Sequence, residues 1–407
     1  MKSVAVLGVV SGLELQFDQR LRSFVAVLGV GLRSDTQRAA FGRYAAGLLS
    51  DLERKSVEPI AARSRPDAPD AEHQALLYFV NEAPWRDQPV RRSAALWALW
   101  PATVHSPVRC AIIDDTGLLK QGDHSVGVAR QYTGSAGKVT NCQVAVSLTV
   151  ATEQVAMPVD MTLYLPWEWT VDESRRAKAR IPHEIEYQPK WRIALELLRE
   201  AHADGVPLGE VVLADADYGR TRAFRQGIRE LGLHYGVGVH GTQKVIHAGK
   251  AKTAKQLARS IATRRYQRIE WREGTRGALS ARFACRRVRV SDLPGVSHSE
   301  GQEVWLIIEW RDDEARPSRF YLTTREANLS RVALIRELKQ RWLTERVYED
   351  IKGELGFDHY EGRSWVGWHH HVSVVMCCYA LLVAERSLAF PPCHKRVRRA
   401  DTHRCAA

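Results

Sequence analysis

The sequence predicts an α/β fold, a mixed sheet covered by helices and preceded by a helical region. Three observations predict it. Residues 21 to 100 place apolar side chains at helical spacing. From residue 106 the chain breaks into short runs rich in valine and isoleucine, separated by turn residues. These runs then give way to helix, strand, helix and strand, the order expected of a sheet with helical layers.

The helical region is clearest in FGRYAAGLLSDLERK, where Tyr44, Leu48, Leu49 and Leu52 recur on one face, and SRPDAPDAEH interrupts it before WRDQPVRR opens its last part. Residues 1–105 read as an N-terminal helical domain, a candidate for binding DNA ends given the basic charge. Residues 106–243 supply the strands VRCAIIDDTG, HSVGVARQY, NCQVAVSLTVAT and QVAMPVDMTLYLP. An amphipathic helix follows, with Trp191, Ala194, Leu195 and Leu198 on one face and Gly205 as its stop. The strand VVLADADYG, a helix through Phe224, Ile228 and Leu231 to Gly232, and the strand HYGVGV complete this part. Both VRCAIIDD and VVLADAD are apolar up to their ends and then acidic, which predicts carboxylates held where a buried strand leaves the sheet.

Residues 244–327 read as a basic, β-rich insertion. Ten lysines and arginines lie between Lys244 and Arg276 against only Glu270 and Glu273, with Tyr266 and Trp271 interleaved, a composition suited to tracking phosphates. The strand-like ARFACRRVRV, EVWLIIEW and RFYLTT follow. Residues 328–392 return to helix: Ser330 is the expected N-cap of one long helix through RVALIRELKQRWLTERVYEDIKGELG, stopped at Gly353 or Gly356. A second helix, from about Trp368 to Leu388, is apolar on most sides and is expected against the sheet. Residues 393–407 form a basic tail.

With 407 residues, 45% apolar and 26% charged, the chain is long enough for two or three packed domains and is not a disordered tail protein. Lysine and arginine outnumber aspartate and glutamate by 59 to 47, so the surface favours polyanions, nucleic acid first. Seven cysteines, Cys110, Cys142, Cys285, Cys377, Cys378, Cys393 and Cys405, are scattered without a CxxC pair, which fits a reducing cytoplasm better than a disulfide framework or a zinc ribbon. The opening MKSVAVLGVVSGL lacks an A-x-A cleavage site and reads as mature chain. The longest apolar stretch, thirteen residues from Val372 to Ala384, falls short of the roughly 20 that span a bilayer and predicts a buried helix and no membrane partner.

The chemistry concentrates in three acidic positions: Asp114 or Asp115, Asp215 or Asp217, and Glu345. On the last long helix Arg341, Glu345, Tyr348 and Lys352 fall at i, i+4, i+7 and i+11, one face of the helix. Carboxylates converging from separate elements suit Mg2+ or Mn2+, hard cations that leave coordination sites for water and phosphate. Two such ions about 4 Å apart would support in-line attack on a phosphodiester by water or a 3′-hydroxyl. Arg341 and Lys352 beside Glu345 would clamp phosphates.

The run IIDDTGLLKQGDHSVGVARQYTGSAGKVTNCQVAVSLTVAT, the later LYLPWEW, LADADYG, and RWLTERVYEDIKGELG followed by HYEGRSWVGWHHH resemble bacterial insertion-sequence transposases of the DDE type. The closest likeness is to the insertion sequence seven-oh-one group, related to the insertion sequence four group, and it covers roughly Tyr44 to Leu388. The resemblance implies an RNase H-like catalytic core interrupted by a β-rich insertion between the second Asp and the Glu. It implies a D-x-T motif at Asp114 and Thr116, with Asp115 ranked second, and a D-x-x-Tyr motif at Asp215 and Tyr218, with Asp217 between them. It further implies a Tyr, Arg, Glu, Lys signature that Arg341, Glu345 and Lys352 match. Leu338 stands where that signature has tyrosine, which argues against a hairpin intermediate. Trp310 or Trp305 is the candidate for stacking on a base, against the plainer role of a core tryptophan on a strand.

The function this implies is a DNA transposase that binds terminal inverted repeats and cleaves and joins DNA, with Asp114, Asp215 and Glu345 as catalytic metal ligands for two Mg2+ or Mn2+ ions. Arg341 and Lys352 would bind DNA, and a homodimer would pair two ends in the cytoplasm, associated with the nucleoid. The alternatives are an RNase H-like nuclease that cuts without joining and an inactive DNA-binding relative. VAVLGVVSG and VAVLGVGLRSD do not complete a G-x-G-x-x-G loop. His369, His370 and His371 are consecutive on a helix, point in different directions, and are expected to serve packing or phosphate contact rather than one shared metal. No G-x-S-x-G occurs.

Overall fold

The computed structural model describes residues 19–104, 106–275, 277–290 and 303–389. The opening MKSVAVLGVVSG, Arg276, Cys393, Cys405 and the basic tail lie outside the described residues. Helical residues from 19 lead through a short turn into α1 (Asp35–Leu49), α2 (Val57–Ser64), α3 (Pro69–Asn81) and α4 (Asp87–Thr103). VAVLGVGLRSD falls on the helix end and 3-10 turn before α1, with Ser34 capping α1, so its glycines end a helix rather than form a nucleotide loop.

Four strands come next: β1 (Cys110–Leu119), β2 (Ala129–Thr133), β3 (Lys138–Ala151) and β4 (Ala156–Leu163). Two short helices, α5 (Trp167–Val171) and α6 (Glu173–Ala179), lead to α7 (Lys190–Ala203), whose buried Ala194, Leu195 and Leu198 are three of the four residues predicted to share a face. Then follow β5 (Val211–Ala214), α8 (Ala216–Gly219), α9 (Arg222–Glu230) and β6 (His234–Val239). The region after residue 243 adds β7 (Lys244–His247), β8 (Lys250–Thr253), α10 (Ala254–Arg259), β9 (Gln267–Gly274), β10 (Gly277–Val290), β11 (Glu303–Trp310) and β12 (Arg319–Thr323). The last elements are α11 (Arg331–Leu338), α12 (Trp342–Gly353) and α13 (Trp365–Ala389).

All twelve strands join one sheet, in the order β2-β3-β1-β5-β6-β12-β11-β10-β7-β8, with β4 added on β3 and β9 on β10. β1, β5 and β6 run parallel, whereas β3 is antiparallel to β1. β12 pairs antiparallel with β6, so the basic region extends the sheet instead of forming a separate one. Side chains alternate between the faces of β1. Ala111 and Ile113 enter the larger apolar core with Val212 and Ala214, while Cys110 and Ile112 enter a smaller one with Leu334, Ile335, Leu338 and Phe283.

Two local expectations need correction. β1 does not end at its acids; it continues to Leu119, and Asp114 and Asp115 pair in register with Ser147 and Val146 of β3. What ends there is the neighbour, because β5 pairs with β1 only over Cys110–Ile112. The expected single helix from Ser330 is broken by a 3-10 turn at Lys339–Arg341, although Ser330 does cap its start through Ala333 N–H. A helix axis cannot follow both the small apolar core under Leu338 and the surface over β3, and the tighter turn redirects it.

α13 has 25 residues, longer than the apolar stretch in the sequence, and by length and composition could cross a membrane. Its 18-residue apolar window is 67% buried inside the protein, where the helix packs chiefly against α4 and also on α1, α3 and β4. The N-terminal helices therefore share a core with the C-terminal helix. Between α4 and β4, Asp160 is fully buried and accepts from Arg91 Nε and Arg92 Nη2, both at 2.7 Å. Arg91 also pairs with Asp87 and donates to Ser373 of α13. The five described cysteines are all buried and unpaired.

Candidate active site

The three elements that carry the predicted acids meet at one end of the parallel strands. Asp114 lies on β1 beyond the last residue paired with β5, on the face shared with Ile112 and Thr116. Asp215 is the first residue after β5 and the N-cap of α8, its Oδ1 accepting from Asp217 N–H at 2.9 Å and Tyr218 N–H at 3.3 Å. Glu345 projects from the first turn of α12. Arg341 joins them: Nη1 donates to Asp114 Oδ2 at 2.8 Å and Nη2 to Glu345 Oε1 at 2.7 Å. Asp215 lies close enough to act electrostatically on both Asp114 and Arg341.

The neighbouring alternatives separate by position. Asp115 points to the opposite face of β1, where Lys190 at the start of α7 donates to it at 2.7 Å. Asp217 is largely exposed, with His240 4.0 Å away. Lys352, one face along from Glu345, reaches β1 and donates to Thr116 Oγ1 at 2.8 Å, Gly117 O at 2.9 Å and Ser135 Oγ at 3.2 Å. Tyr348, between them, is buried with its hydroxyl 2.5 Å from Ser147 Oγ, and Thr149 and Thr344 meet at 3.0 Å, so α12 is pinned to β3 opposite Asp114.

Two glycines let these parts approach. A Cβ at Gly238 would stand 2.9 Å from Ala216 N and 3.1 Å from Asp215 C, and one at Gly236 would stand 2.6 Å from Leu338 Cδ2. Only a bare backbone on β6 lets the Asp215 turn and the end of α11 pack this closely.

Burial raises Asp114 from its ordinary value to about 7, with Arg341 opposing the rise and Asp215 and Asp115 adding to it. Asp215 is raised too, again first by burial. Arg341 would be lowered by burial, but Asp114, Glu345 and Asp215 together raise it. The Tyr218 hydroxyl is buried beside the acids without a hydrogen-bond partner, and burial holds it well above the usual phenol range. Three carboxylates thus face one guanidinium. Hard oxygen donors in negative excess, with a buried aspartate that burial alone would neutralise, fit a divalent cation. Among the described residues no three acidic, histidine or cysteine side chains yet close on a single point, and Arg341 takes the space between Asp114 and Glu345.

A cleft of about 470 Å3 opens beside these residues, lined by Asp215, Arg341 and Glu345 and, on its other wall, by strands of the basic region. Its tryptophans are Trp271 and Trp342, not Trp310 or Trp305. Trp310 donates to Glu314 O at 2.8 Å beneath Arg282, and Trp305 lies under Arg287. Leu338 is buried on the cleft wall and fills the small core. Lys339, Glu309 and Tyr321 also line the cleft. Sequence reasoning missed them, although the i, i+2 spacing of Lys339 and Arg341 on a basic helix end was visible.

The three histidines are buried. His369 bonds Trp365 O, His370 bonds Val80 O and Trp85 O, and His371 bonds Tyr44 Oη and Phe357 O. Burial lowers all three, so they are neutral packing residues, and the expected phosphate contact is ruled out by their burial.

Residues 27–254, which include Asp114 and Asp215, match the model of a DDE superfamily endonuclease. Residues 189–381, which include Asp215, Arg341, Glu345 and Lys352, match that of a transposase DDE domain. Over 207 residues the chain is 30% identical to a probable transposase for insertion sequence element IS701 from Microchaete diplosiphon, covering 51% of this chain and 50% of the relative. The chain thus spans about half the length of that curated relative. A cryo-EM structure of a piggyBac transposase synaptic complex with hairpin DNA aligns with 91% of this chain and 66% of its own, at 11% identity and a TM-score of 0.40. With more than half of its residues matched by the first family model, the chain belongs to the DDE superfamily of endonucleases, and within it is similar to the IS701 transposase group.

Proposed function

We propose that the protein is a DNA transposase that binds the terminal inverted repeats of an insertion sequence, cleaves the element ends and joins them to target DNA. On this reading β4-β3-β1-β5-β6 is the RNase H-like core, residues 244–327 are its insertion, and Asp114, Asp215 and Glu345 hold Mg2+ or Mn2+. Two such ions would activate a water or a DNA 3′-hydroxyl as the nucleophile and would stabilise the leaving oxygen of an in-line phosphoryl transfer.

The chain's own residues do the rest. Asp215 is fixed by its cap bonds, and Asp114 by the β-ladder. Arg341, its side chain 31% exposed at the cleft, is placed to give its guanidinium to a DNA phosphate in exchange for a carboxylate. Lys352 fixes β1 and offers its charge at the same edge. Arg272, Arg311 and Arg319 line the facing wall, where a duplex backbone would run. Two ends must be held together for joining, which calls for a homodimer on DNA. The site of action is then the cytoplasm, on the nucleoid.

The observation that carries this reading is Arg341 bridging Asp114 and Glu345, with Asp215 near enough to act on it electrostatically, beside a cleft walled by basic residues. The test uses duplexes made from the DNA that flanks the gene on either side. Wild-type protein with Mg2+ is expected to cut them at a fixed position and to join precut 3′ ends, whereas Asp215→Asn and Glu345→Gln, still folded and DNA-bound, do neither. Cutting by those variants at the normal rate overturns the proposal, and cutting without joining leaves the nuclease alternative.

A further inference from the structure

On the wall of the cleft opposite Asp215, four strands of the basic region build a small cage. Trp271 of β9, Phe283 of β10 and Tyr321 of β12 supply its rings, and Glu309 of β11, 1% exposed, supplies its carboxylate. The cage is filled by the ammonium of Lys339, from the 3-10 turn that breaks the last long helix. Lys339 Nζ lies 2.5 Å from Glu309 Oε2 and 3.3 Å from Tyr321 Oη, and Tyr321 Oη donates to the same carboxylate oxygen at 2.7 Å. The ammonium is 4.6 Å from the centre of the Trp271 ring, 5.3 Å from that of Tyr321 and 5.7 Å from that of Phe283. Three ring faces and a buried carboxylate attract an ammonium, against the burial that lowers Lys339 from its ordinary value.

Lys339 is two residues before Arg341 in the same turn, and Arg341 reaches Asp114 and Glu345. No covalent connection shorter than the run from β12 through α11 ties the basic region to this turn. We infer that the cage is a latch through which the β-rich region sets the position of Arg341, with Glu309 as a positioning residue acting through Lys339. The inference rests on the functional reading above and assigns the region a role in the chemistry besides lying along DNA. A turn of three residues between two helices has few internal hydrogen bonds, so an anchor at its first residue decides where its last residue points.

The test compares Glu309→Gln, Lys339→Met and Lys339→Arg with wild type on the flanking-DNA duplexes. Glu309→Gln and Lys339→Met are expected to slow Mg2+-dependent cleavage at saturating DNA on the order of 10-fold or more, with unchanged affinity for the duplex and unchanged salt dependence. Lys339→Arg, which keeps the charge and the ring contacts, is expected to recover most of the rate. In an Arg341→Ala background Glu309→Gln should cost nothing further, as a residue acting through Arg341 requires. A second readout needs neither DNA nor metal: backbone hydrogen exchange between residues 339 and 345 is expected to quicken in Glu309→Gln by more than exchange in α4 and α13, so that the change is local to the turn and exceeds the general loss of stability that breaking a buried pair brings.

Weakened, less salt-dependent DNA binding by Lys339→Met would show that Lys339 meets a phosphate instead, and would overturn the latch. Cleavage and exchange like those of wild type in both variants would overturn it as well. If wild-type protein itself does not cleave, the functional reading fails, and the exchange measurement alone still decides the latch.

Discussion

Two clusters in this protein use the same side chains and reach opposite electrostatic outcomes. Between α4 and β4, Arg91 and Arg92 enclose Asp160, which has no exposed surface, with Asp87 and Asp204 completing the set. At the cleft, Arg341 alone answers Asp114 and Glu345, with Asp215 nearby, and Glu345 is 54% exposed. In the first cluster burial would raise Asp87, but Arg91 outweighs it and holds that carboxyl well below the ordinary range. In the second, burial of Asp114 wins over Arg341 and the value rises to about 7. A network of two buried guanidiniums around one fully buried carboxylate, with two more acids at its edge, fastens helices to a sheet. An open one with a single guanidinium for two bonded carboxylates and a third nearby leaves a place for a further cation.

The comparison breaks most visibly at Asp160. Asp160→Ala removes the fully buried carboxylate shared by two buried guanidiniums, leaving each a single acid at the cluster's edge, and is expected to destabilise the protein by about 3–5 kcal/mol in denaturant unfolding. A loss no larger than that of Asp114→Ala would mean the two clusters are alike.

The pH dependence sharpens it next. Asp114 has a raised folded value, so between its unfolded value near 3.8 and about 7 the folded state holds the extra proton, and stability falls as pH rises through that window. Each unit of such a shift corresponds to ~1.4 kcal/mol. Unfolding free energies without divalent ions should therefore decline across this window in wild type and run flatter in Asp114→Asn, and added Mg2+ should recover stability at pH 8 more than at pH 5. Equal slopes in the two proteins would remove Asp114 as the source.

Smaller effects test how the cleft cluster is mounted. Gly238→Ala pushes a methyl against the backbone of Asp215 and Ala216 and is expected to cost ~1–3 kcal/mol, with cleavage suffering more than stability. Ser147→Ala removes the partner of Tyr348 and is expected to cost about 1 kcal/mol, read as a shift in the unfolding midpoint with DNA affinity unchanged.

Much of this was legible beforehand, for identifiable reasons. The strand and helix segments from VRCAIIDD to HYGVGV stand where alternation and turn residues put them, because each buries a face whose period is written locally. Arg341, Glu345 and Lys352 could be named from helical spacing, whereas Asp114 over Asp115 and Asp215 over Asp217 followed only from the family resemblance. Their partners could not be named. Local pattern says nothing of which strand stops beside Asp114, nor that Asp115 turns away to Lys190, since both depend on the pairing of β1 with β5. Helical periodicity likewise runs straight through Lys339–Arg341, although the chain breaks there. From the sequence Trp310 and Trp305 were the candidates for stacking on a base, and only the fold puts Trp271 and Trp342 at the cleft in their place.

The sequence by itself determined the alternation of elements, the basic charge and the residue types able to hold a hard cation, because these follow from side-chain chemistry and from periods of two and 3.6 residues. Only the tertiary structure decided that one sheet carries both the acids and the basic region, that one arginine stands among three carboxylates, and that Lys339 is held by the strands facing it. Such pairings join residues up to 227 positions apart, and are set by strand order and by the close approach that Gly236 and Gly238 permit, neither of which any local stretch of chain encodes.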